Sequence, residues 1–229
     1  MRMFVNNLQK KLPPSLLVVL LFGTAGSGAP DFVGNNGVNW DTSGSVTATA
    51  SSSHSIRIPL LCINGVGLDA ATGLKHDSLP NTGFISRHDT DSAPNMPHEG
   101  CVNGKHWIEF EFDQIYTLGE LWIWNYNEVN YAPRGWKDVS IQYSTVGGPD
   151  PNDWKTLGGA GATHQIAMAT GADNYEHGSN EFDFGGEKAK FVVITCHTGW
   201  GTHTSQSMGL HEVRFHKAEV IEGSVLFLR

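Results

Sequence analysis

Residues 106–143 read HWIEFEFDQIYTLGELWIWNYNEVNYAPRGWKDVSIQY, and this stretch decides the fold. In its first part the apolar residues Ile108, Phe110 and Phe112 alternate with glutamates. Similar alternation recurs twice further on, in LWI and in VSIQY, each time after turn residues. A period of two over short runs is typical of half-buried antiparallel strands. The stretch therefore predicts three strands.

Comparable strand-like segments lie on both sides of this stretch, whereas residues 68–105 show little periodicity and are predicted to form a long loop region. The segments are SVTATA (45–50), IRIPLLCING (56–65), WKTLGG (154–159), EFDFGG (181–186), AKFVVITC (189–196) and GLHEVRFH (209–216). We predict an all-β protein, an antiparallel β-sandwich. Alternation assigns eight residues to its core: Ile108, Phe110, Leu121, Ile123, Ile141, Val192, Ile194 and Phe215.

The connection between the second and third predicted strands has an unusual composition. It reads NYNEVNYAPRG, which is far longer than a plain hairpin turn needs. It combines amides, two tyrosines and an arginine, and loops of this kind on a rigid scaffold often carry recognition. The alternative is that the asparagines only make turn hydrogen bonds.

The charge balance argues against nucleic acids and anionic membranes as partners. The chain of 229 residues has a formal net charge of −8, and its first thirty residues contain three basic residues and no acidic one. Without them the net charge is about −11. A nucleic acid or an anionic membrane favours a basic surface, so neither is expected as a partner. A neutral polyhydroxylated ligand is compatible with this charge, and so is a divalent cation.

The N-terminus is typical of a secretory signal. Lys10 and Lys11 precede a short apolar run, SLLVVLLF, and the small residues GTAGSGA follow. We expect cleavage between Ala25 and Ala29 and a secreted or cell-surface protein; the alternative is a retained anchor. No later stretch is apolar enough to cross a membrane. The predicted organisation is a signal peptide (1–29), a flexible lead-in (30–43), the sandwich (44–217) and a C-terminal tail (218–229).

The three cysteines leave their pairing open. Cys62 and Cys101 lie in loop-like sequence and are the pair we expect if one disulfide forms in an exported chain. Cys196 ends an apolar strand and is expected as a buried thiol. Their spacing fits no zinc motif.

The order of several short motifs resembles a known family. CING, TGFIS, HWIEFEFDQIYTLGELWIWNYN, RGWKDVSIQYS and a closing GLHEVRF resemble the discoidin domain, also called the coagulation factor V/VIII type C domain. The bacterial carbohydrate-binding modules of that galactose-binding-like superfamily are the most similar members. The resemblance covers residues 45–216. It implies a distorted jelly roll, a ligand site formed by loops at one end and a structural calcium ion near that end.

The resemblance also implies calcium ligands. The matching side chains are Asn64, Thr82 and Glu212, with main-chain carbonyls near Leu61, Val66 and His211 completing the shell. Calcium favours six to eight hard oxygen ligands, which irregular loops can supply. Asn64 stands where Asp is common, and Asp69 could compensate for the missing charge.

The candidate ligand site follows from the matching loops. A sugar needs a flat apolar surface for its C–H face and planar donors for adjacent hydroxyls. Trp200 or Tyr126 could provide the flat apolar surface, and Arg134 together with asparagines could donate hydrogen bonds to the hydroxyls. In the alternative interpretation Arg134 is a salt-bridge partner and Trp200 is a packing residue. Glu128 stands where some members have a second arginine. The predicted set is His88, Asn125, Tyr126, Asn127, Asn130, Arg134 and Trp200.

Catalytic and zinc motifs are weak. His197, His203 and His211 lack the short spacing of common zinc sites. The acidic pairs Glu109/Glu111 and Asp89/Asp91 could suggest a glycosidase, but Glu109 and Glu111 share one strand face and are predicted to be solvated, and no nucleophile motif occurs. We expect a secreted, non-catalytic module that binds glycans, with galactose- or fucose-type sugars favoured by the resemblance. The alternatives are an adhesion module that binds cell-surface proteins and an accessory fragment of a larger glycan-active enzyme.

Overall fold

The computed structural model describes residues 32–33, 45–87, 96–102, 106–201 and 207–218, and every structural statement below concerns these residues. They form strands and three turns of 3-10 helix (Pro59–Cys62, Ala132–Arg134 and Pro151–Asp153), without an α-helix. Strands β1 to β11 span, in chain order, Val46–Ala50, Lys75–His76, Phe84–Ile85, His106–Asn125, Trp136–Ser144, Lys155–Thr156, His164–Gln165, Tyr175–Glu176, Glu181–Asp183, Lys188–Gly199 and Gly209–Lys217. The predicted antiparallel β-sandwich is confirmed.

Strand β4 belongs to both layers of the sandwich. Its first half pairs with β1 and β10, and its second half pairs with β11 and β9. The change of partner occurs within one step, because Thr117 is opposite Lys188 of β10 and Leu118 is opposite Lys217 of β11. The sequence predicted two strands separated by a turn here. The backbone instead continues through the bend as one strand of 20 residues.

The loop that follows β4 crosses from one layer to the other. In the first layer the strand order is β4-β10-β5-β6, so β10 lies between β4 and β5. The last residues of β4 pair with β11 in the second layer, whereas β5 pairs with β10 in the first. The connection is therefore a crossover between layers rather than a hairpin, which explains its length.

The main core lies between the two layers. Strand residues that face inward from β4, β5, β10 and β11 meet there, and all eight predicted core residues are at most 1% exposed. Phe215 packs edge-on against both Phe110 and Phe112, with ring centroids 5.1 Å apart in each pair. The alternation in the sequence predicted this face because the pleat repeats every two residues.

Two segments differ from their predictions. Residues 56–65 form loop structure with one turn of 3-10 helix instead of a strand, because Pro59 lacks a main-chain donor and its neighbours Ile58 and Leu60 are exposed. In the lead-in that was predicted to be flexible, Phe32 and Val33 are buried, and Val33 N donates to the Phe215 carbonyl at 2.9 Å. The rest of the lead-in lies outside the described residues, as do the signal segment and nearly all of the tail.

The expected disulfide between Cys62 and Cys101 is not formed. All three cysteines are free and buried. Cys62 belongs to the main core and donates to the Leu210 carbonyl at 3.5 Å, whereas Cys101 packs on the outer face of the first layer with Trp107. The two thiols are thus on different sides of a sheet. Cys196 is confirmed as a buried thiol.

The glutamates of β4 are not equally solvated. Glu111 is exposed, as predicted, but the side chain of Glu109 is only 12% exposed and pairs with His98 at 2.8 Å. The prediction for Glu109 is wrong because residues 96–102 lie across this outer face and form a small second core with Trp154. No helix in the described part of the chain is long and apolar enough to span a membrane.

Truncating the centre of the core tests the layer assignment. We expect Ile123→Ala to lower the free energy of unfolding by about 2–5 kcal/mol, since the residue is fully buried and leaves a cavity. Ile115, on the same strand, is 51% exposed, so Ile115→Ala should change stability by less than about 0.5 kcal/mol. Urea denaturation of both variants measures the difference. Equal effects would contradict the assigned face.

Candidate functional site

Four segments meet at one end of the sandwich, which we call the loop end: residues 54–58, 77–82, 126–135 and 199–201. Main-chain hydrogen bonds join Val129 N to Ser78 O at 3.2 Å and Trp200 N to Gly135 O at 3.2 Å. The side chain of Arg57 reaches Glu128 at 2.8 Å. The predicted recognition loop is therefore at the centre of this end.

Asn125 is the anchor of the loop and does not face a ligand. Its Nδ2 donates to the carbonyls of Trp136 and Ala167, both at 2.8 Å. Its Oδ1 accepts from the main-chain N–H of Tyr126 and of Trp136, both at 2.9 Å. The side chain is fully buried and uses both amide groups, so the prediction that it contacts a ligand is wrong.

Asn127 has the same character two residues later. Its Nδ2 donates to the carbonyls of Asp77 and Ala172, both at 2.8 Å, and its Oδ1 accepts from Gly171 N at 2.8 Å. It is fully buried. For Asn125 and Asn127 the alternative interpretation holds: the amides hold irregular backbone together, and the prediction of ligand contact is wrong for both.

Tyr126 lies in a buried polar network. Its hydroxyl accepts from Arg57 Nη1 at 2.7 Å and donates to the carboxylate of Glu128. Burial and then the hydrogen bond to Glu128 raise the pKa of Tyr126 well above its usual range. The ring is 1% exposed and stacks on His211, with centroids 4.8 Å apart. It cannot act as the predicted platform for a sugar.

Arg57 is a member of this end that sequence reasoning missed. It comes from a segment 71 residues before Glu128, and its Nε also donates to Asn81 Oδ1 at 3.0 Å. A second guanidinium is therefore present beside Glu128, where the resemblance had indicated one was absent. No local pattern marks Arg57, because its partner is distant in sequence.

Asn130, Tyr131, Arg134 and Trp200 belong to the accessible part of the loop end. Asn130 is exposed and has a φ of 66°, which Asn tolerates better than most residues. Tyr131 is 44% exposed, and the Arg134 guanidinium lies 4.3 Å from the centre of its ring. Arg134 is partly exposed and forms no ion pair with any described residue. Its charge is thus available at the surface.

Trp200 is partly exposed beside this loop. Its indole N–H donates to the Ile166 carbonyl at 2.9 Å, so the ring is held at a fixed orientation. Lys137 Nζ lies 5.1 Å from the ring centre. Trp200 is joined to the loop of Asn130 and Arg134 by its main-chain hydrogen bond to Gly135, and ligand contact by these three residues stays a prediction. His88 lies outside the described residues.

The predicted calcium side chains are engaged elsewhere. Thr82 Oγ1 bonds to Asp77 Oδ1 at 2.9 Å and to the Leu79 carbonyl at 2.8 Å. Asn64 Oδ1 accepts from Val66 N at 3.0 Å. Asp69, the possible substitute, accepts four hydrogen bonds from residues 72–75 of its own turn, between 2.7 and 3.2 Å long.

Glu212 is the one predicted carboxylate ligand, and an arginine contacts it. It is fully buried, and the Arg214 guanidinium pairs with its Oε1. Burial raises the pKa of Glu212 to about 7 against the lowering effect of Arg214. No group of three His, Cys, Asp or Glu side chains among the described residues could hold a metal ion. As arranged, these side chains do not fit a calcium shell; the carbonyls of Leu61, Val66 and His211 stay predictions.

No family model and no curated protein matches this chain. Among solved structures, CBM32-3 from a family 31 glycoside hydrolase of Clostridium perfringens matches 76% of this chain and 91% of its own, with 14% identity and a TM-score of 0.50. A fucose binding module of Streptococcus pneumoniae covers 82% and 100% with 15% identity and a TM-score of 0.48. The lectin domain of lectinolysin covers 76% and 93% with 12% identity and a TM-score of 0.46.

The first of these similarities identifies the fold. The predicted resemblance to discoidin-like, galactose-binding-like modules is confirmed at that level.

The buried amides give a direct test of how the loop end is ordered. We expect Asn127→Ala to lower the free energy of unfolding by about 1–3 kcal/mol, because a fully buried side chain and its three part-buried hydrogen bonds to the backbone are lost. Asn130→Gly is the matched control, since glycine keeps the positive φ at an exposed position, and should stay within about 0.5 kcal/mol of wild type. A larger loss at Asn130 than at Asn127 would reverse the assignment.

Proposed function

We propose that this chain is a secreted, non-catalytic carbohydrate-binding module that holds the ends of glycans at its loop end. One observation carries the proposal: the Arg134 guanidinium lies on the ring of Tyr131, partly exposed and without an ion-pair partner among the described residues. A guanidinium that is held in one orientation and forms no ion pair with a described residue can donate hydrogen bonds to a ligand.

The chemistry of this surface suits a sugar. A guanidinium presents several donors in one plane, which match the oxygens of two adjacent hydroxyl groups. Contact with Tyr131 limits the rotation of Arg134 before a ligand arrives, so less conformational entropy is lost on binding. Trp200 offers an oriented aromatic ring for the C–H face of a sugar.

Glycan binding also agrees with the charge and with the scaffold. The net charge of −8 does not favour polyanions, and a neutral ligand is not repelled by it. The fold is shared with a module that belongs to a glycoside hydrolase. Galactose- or fucose-type sugars are proposed first because the motif resemblance favours them. Secretion rests on the N-terminal sequence pattern.

The described carboxylates Glu128 and Asp77 of the loop end are engaged by other side chains. Glu128 is paired with Arg57 at 2.8 Å and bonded to Tyr126, and Asp77 is bonded to Thr82 at 2.9 Å. Carboxylates that are neutralised in this way are not poised as acid and nucleophile. These contacts support a binding role, either alone or as an accessory part of a larger glycan-active enzyme.

A second candidate function is an adhesion module that binds cell-surface proteins. The observation that favours it is the exposure of apolar side chains at the same end: Ile56 is 65% exposed, Leu79 57% and Val129 49%. Hydrogen bonds and ion pairs join their segments, so they share one region. Exposed apolar groups of this kind mark many protein interfaces.

A glycan array followed by titration separates the two functions. We expect a Kd of order 0.1–1 mM for a monosaccharide end, equal to about −4.1 to −5.5 kcal/mol, since a shallow site buries little area. Arg134→Ala should abolish binding and leave the melting temperature within a few degrees of wild type. Trp200→Ala should weaken binding by roughly 1–2 kcal/mol if its ring is the platform.

The matched control is Lys155→Ala, which removes an exposed cation distant from the loop end. It should bind like wild type. If Arg134→Ala and Trp200→Ala also bind like wild type, the ligand site lies on another surface. Absence of binding to every glycan on the array would favour the protein-binding function.

A further inference from the structure

Arg214 is a fully enclosed cation that none of the proposed functions uses. It is 2% exposed and is among the largest buried side chains. In β11, Val213 and Phe215 point into the main core, so the intervening Arg214 and its neighbour Glu212 point to the outer face of the second layer. The segment 59–65 lies against β11, and its Ile63 carbonyl accepts a hydrogen bond from Arg214.

The guanidinium makes the two contacts that a bound cation would make there. One nitrogen, Nη2, pairs with Glu212 Oε1. Another, Nη1, donates to the Ile63 carbonyl at 3.2 Å, in the turn whose oxygens were predicted to bind calcium. A calcium ion at this place would likewise neutralise the glutamate and draw in loop carbonyls. The guanidinium of Arg214, which is part of the chain, pairs with the glutamate and also bonds to a loop carbonyl.

Besides Arg214, two further groups near Glu212 lower the pKa of its carboxyl, which burial raises. The main-chain N–H of Gly65 lies near enough to lower the pKa of Glu212, but apart from the pair with Arg214 neither carboxylate oxygen accepts a hydrogen bond from a described residue. The buried ring of His76 lies nearby. The guanidinium of Arg214 supplies the counter-charge of this carboxylate. A metal ion in the same place would face the positive charge of Arg214.

The energetics require a partner of this kind. A fully buried carboxylate without a counter-charge is strongly unfavourable, and so is a buried guanidinium. Each therefore removes the main cost of burying the other. Because Arg214 also donates a hydrogen bond to the Ile63 carbonyl, the Arg214–Glu212 pair links the segment 59–65 to strand β11.

We propose that Arg214 is a built-in cation that replaces a structural calcium ion, so that the turn at 61–67 and the strand beneath it are held together without metal. The chain would then fold and stay folded in the absence of calcium. This inference is independent of the proposed glycan binding.

The first arm of the test uses the unaltered protein. We expect the same melting temperature, within about 1 °C, after dialysis against a chelator and after addition of millimolar calcium, since a ligand that does not bind the native state cannot stabilise it. Elemental analysis should find no stoichiometric calcium. A melting temperature that falls by several degrees in chelator and returns with calcium would overturn the proposal.

The second arm tests the pair. Glu212→Gln and Arg214→Met should each lower the melting temperature by about 10 °C in chelator, because each strands the other group. The double variant should lie close to the worse single variant instead of showing the sum of both losses. Additive losses, or a Glu212→Gln variant that melts like wild type, would contradict the pairing.

Lys155→Met, which breaks an exposed pair with Glu187, is the control and should shift melting by no more than about 2 °C. If Glu212→Gln and Arg214→Met do not fold, Arg214→Lys is the substitute, because lysine keeps the positive charge but lacks the planar guanidinium. Its melting temperature should lie between that of wild type and the value expected for Arg214→Met. The chelator arm decides the proposal independently of these variants.

Discussion

The continuity of β4 is the constraint on which the rest of the molecule depends. One strand supplies hydrogen bonds to β1 and β10 in the first layer and to β9 and β11 in the second. The two layers therefore cannot shift independently, since a one-residue slip would turn every core side chain of β4 outward. The central loop of the loop end begins where this strand ends, at Asn125.

The loop end has a polar interior of its own. Asn125 and Asn127 bond to irregular backbone from several segments, and Tyr126, Arg57 and Glu128 form a second network beside them. Buried networks of this kind order a region only when their members are satisfied. The surface residues Tyr131 and Arg134 are thereby presented on a rigid base, although they belong to a loop.

The sequence predicted the sandwich and its core well because period-two alternation is a local property that reports burial directly. It could not separate Asn125 and Asn127 from Asn130, since all three are amides in one loop and differ only in what surrounds them. Arg57 was missed because its partner is 71 residues away. Glu109 was misassigned because its outer face is covered by another segment of the chain. In each case the deciding contact is tertiary.

The three free thiols have a practical consequence. Burial raises the pKa of all three, to about 12 for Cys101, so the reactive thiolate form is scarce and shielded in the native protein. They also lie in two separate apolar clusters, on opposite sides of the first layer. Alkylation can therefore proceed only as fast as the surrounding structure opens. The three native cysteines can therefore report local and global opening, residue by residue, when their alkylation is followed by mass spectrometry, and no cysteine needs to be introduced.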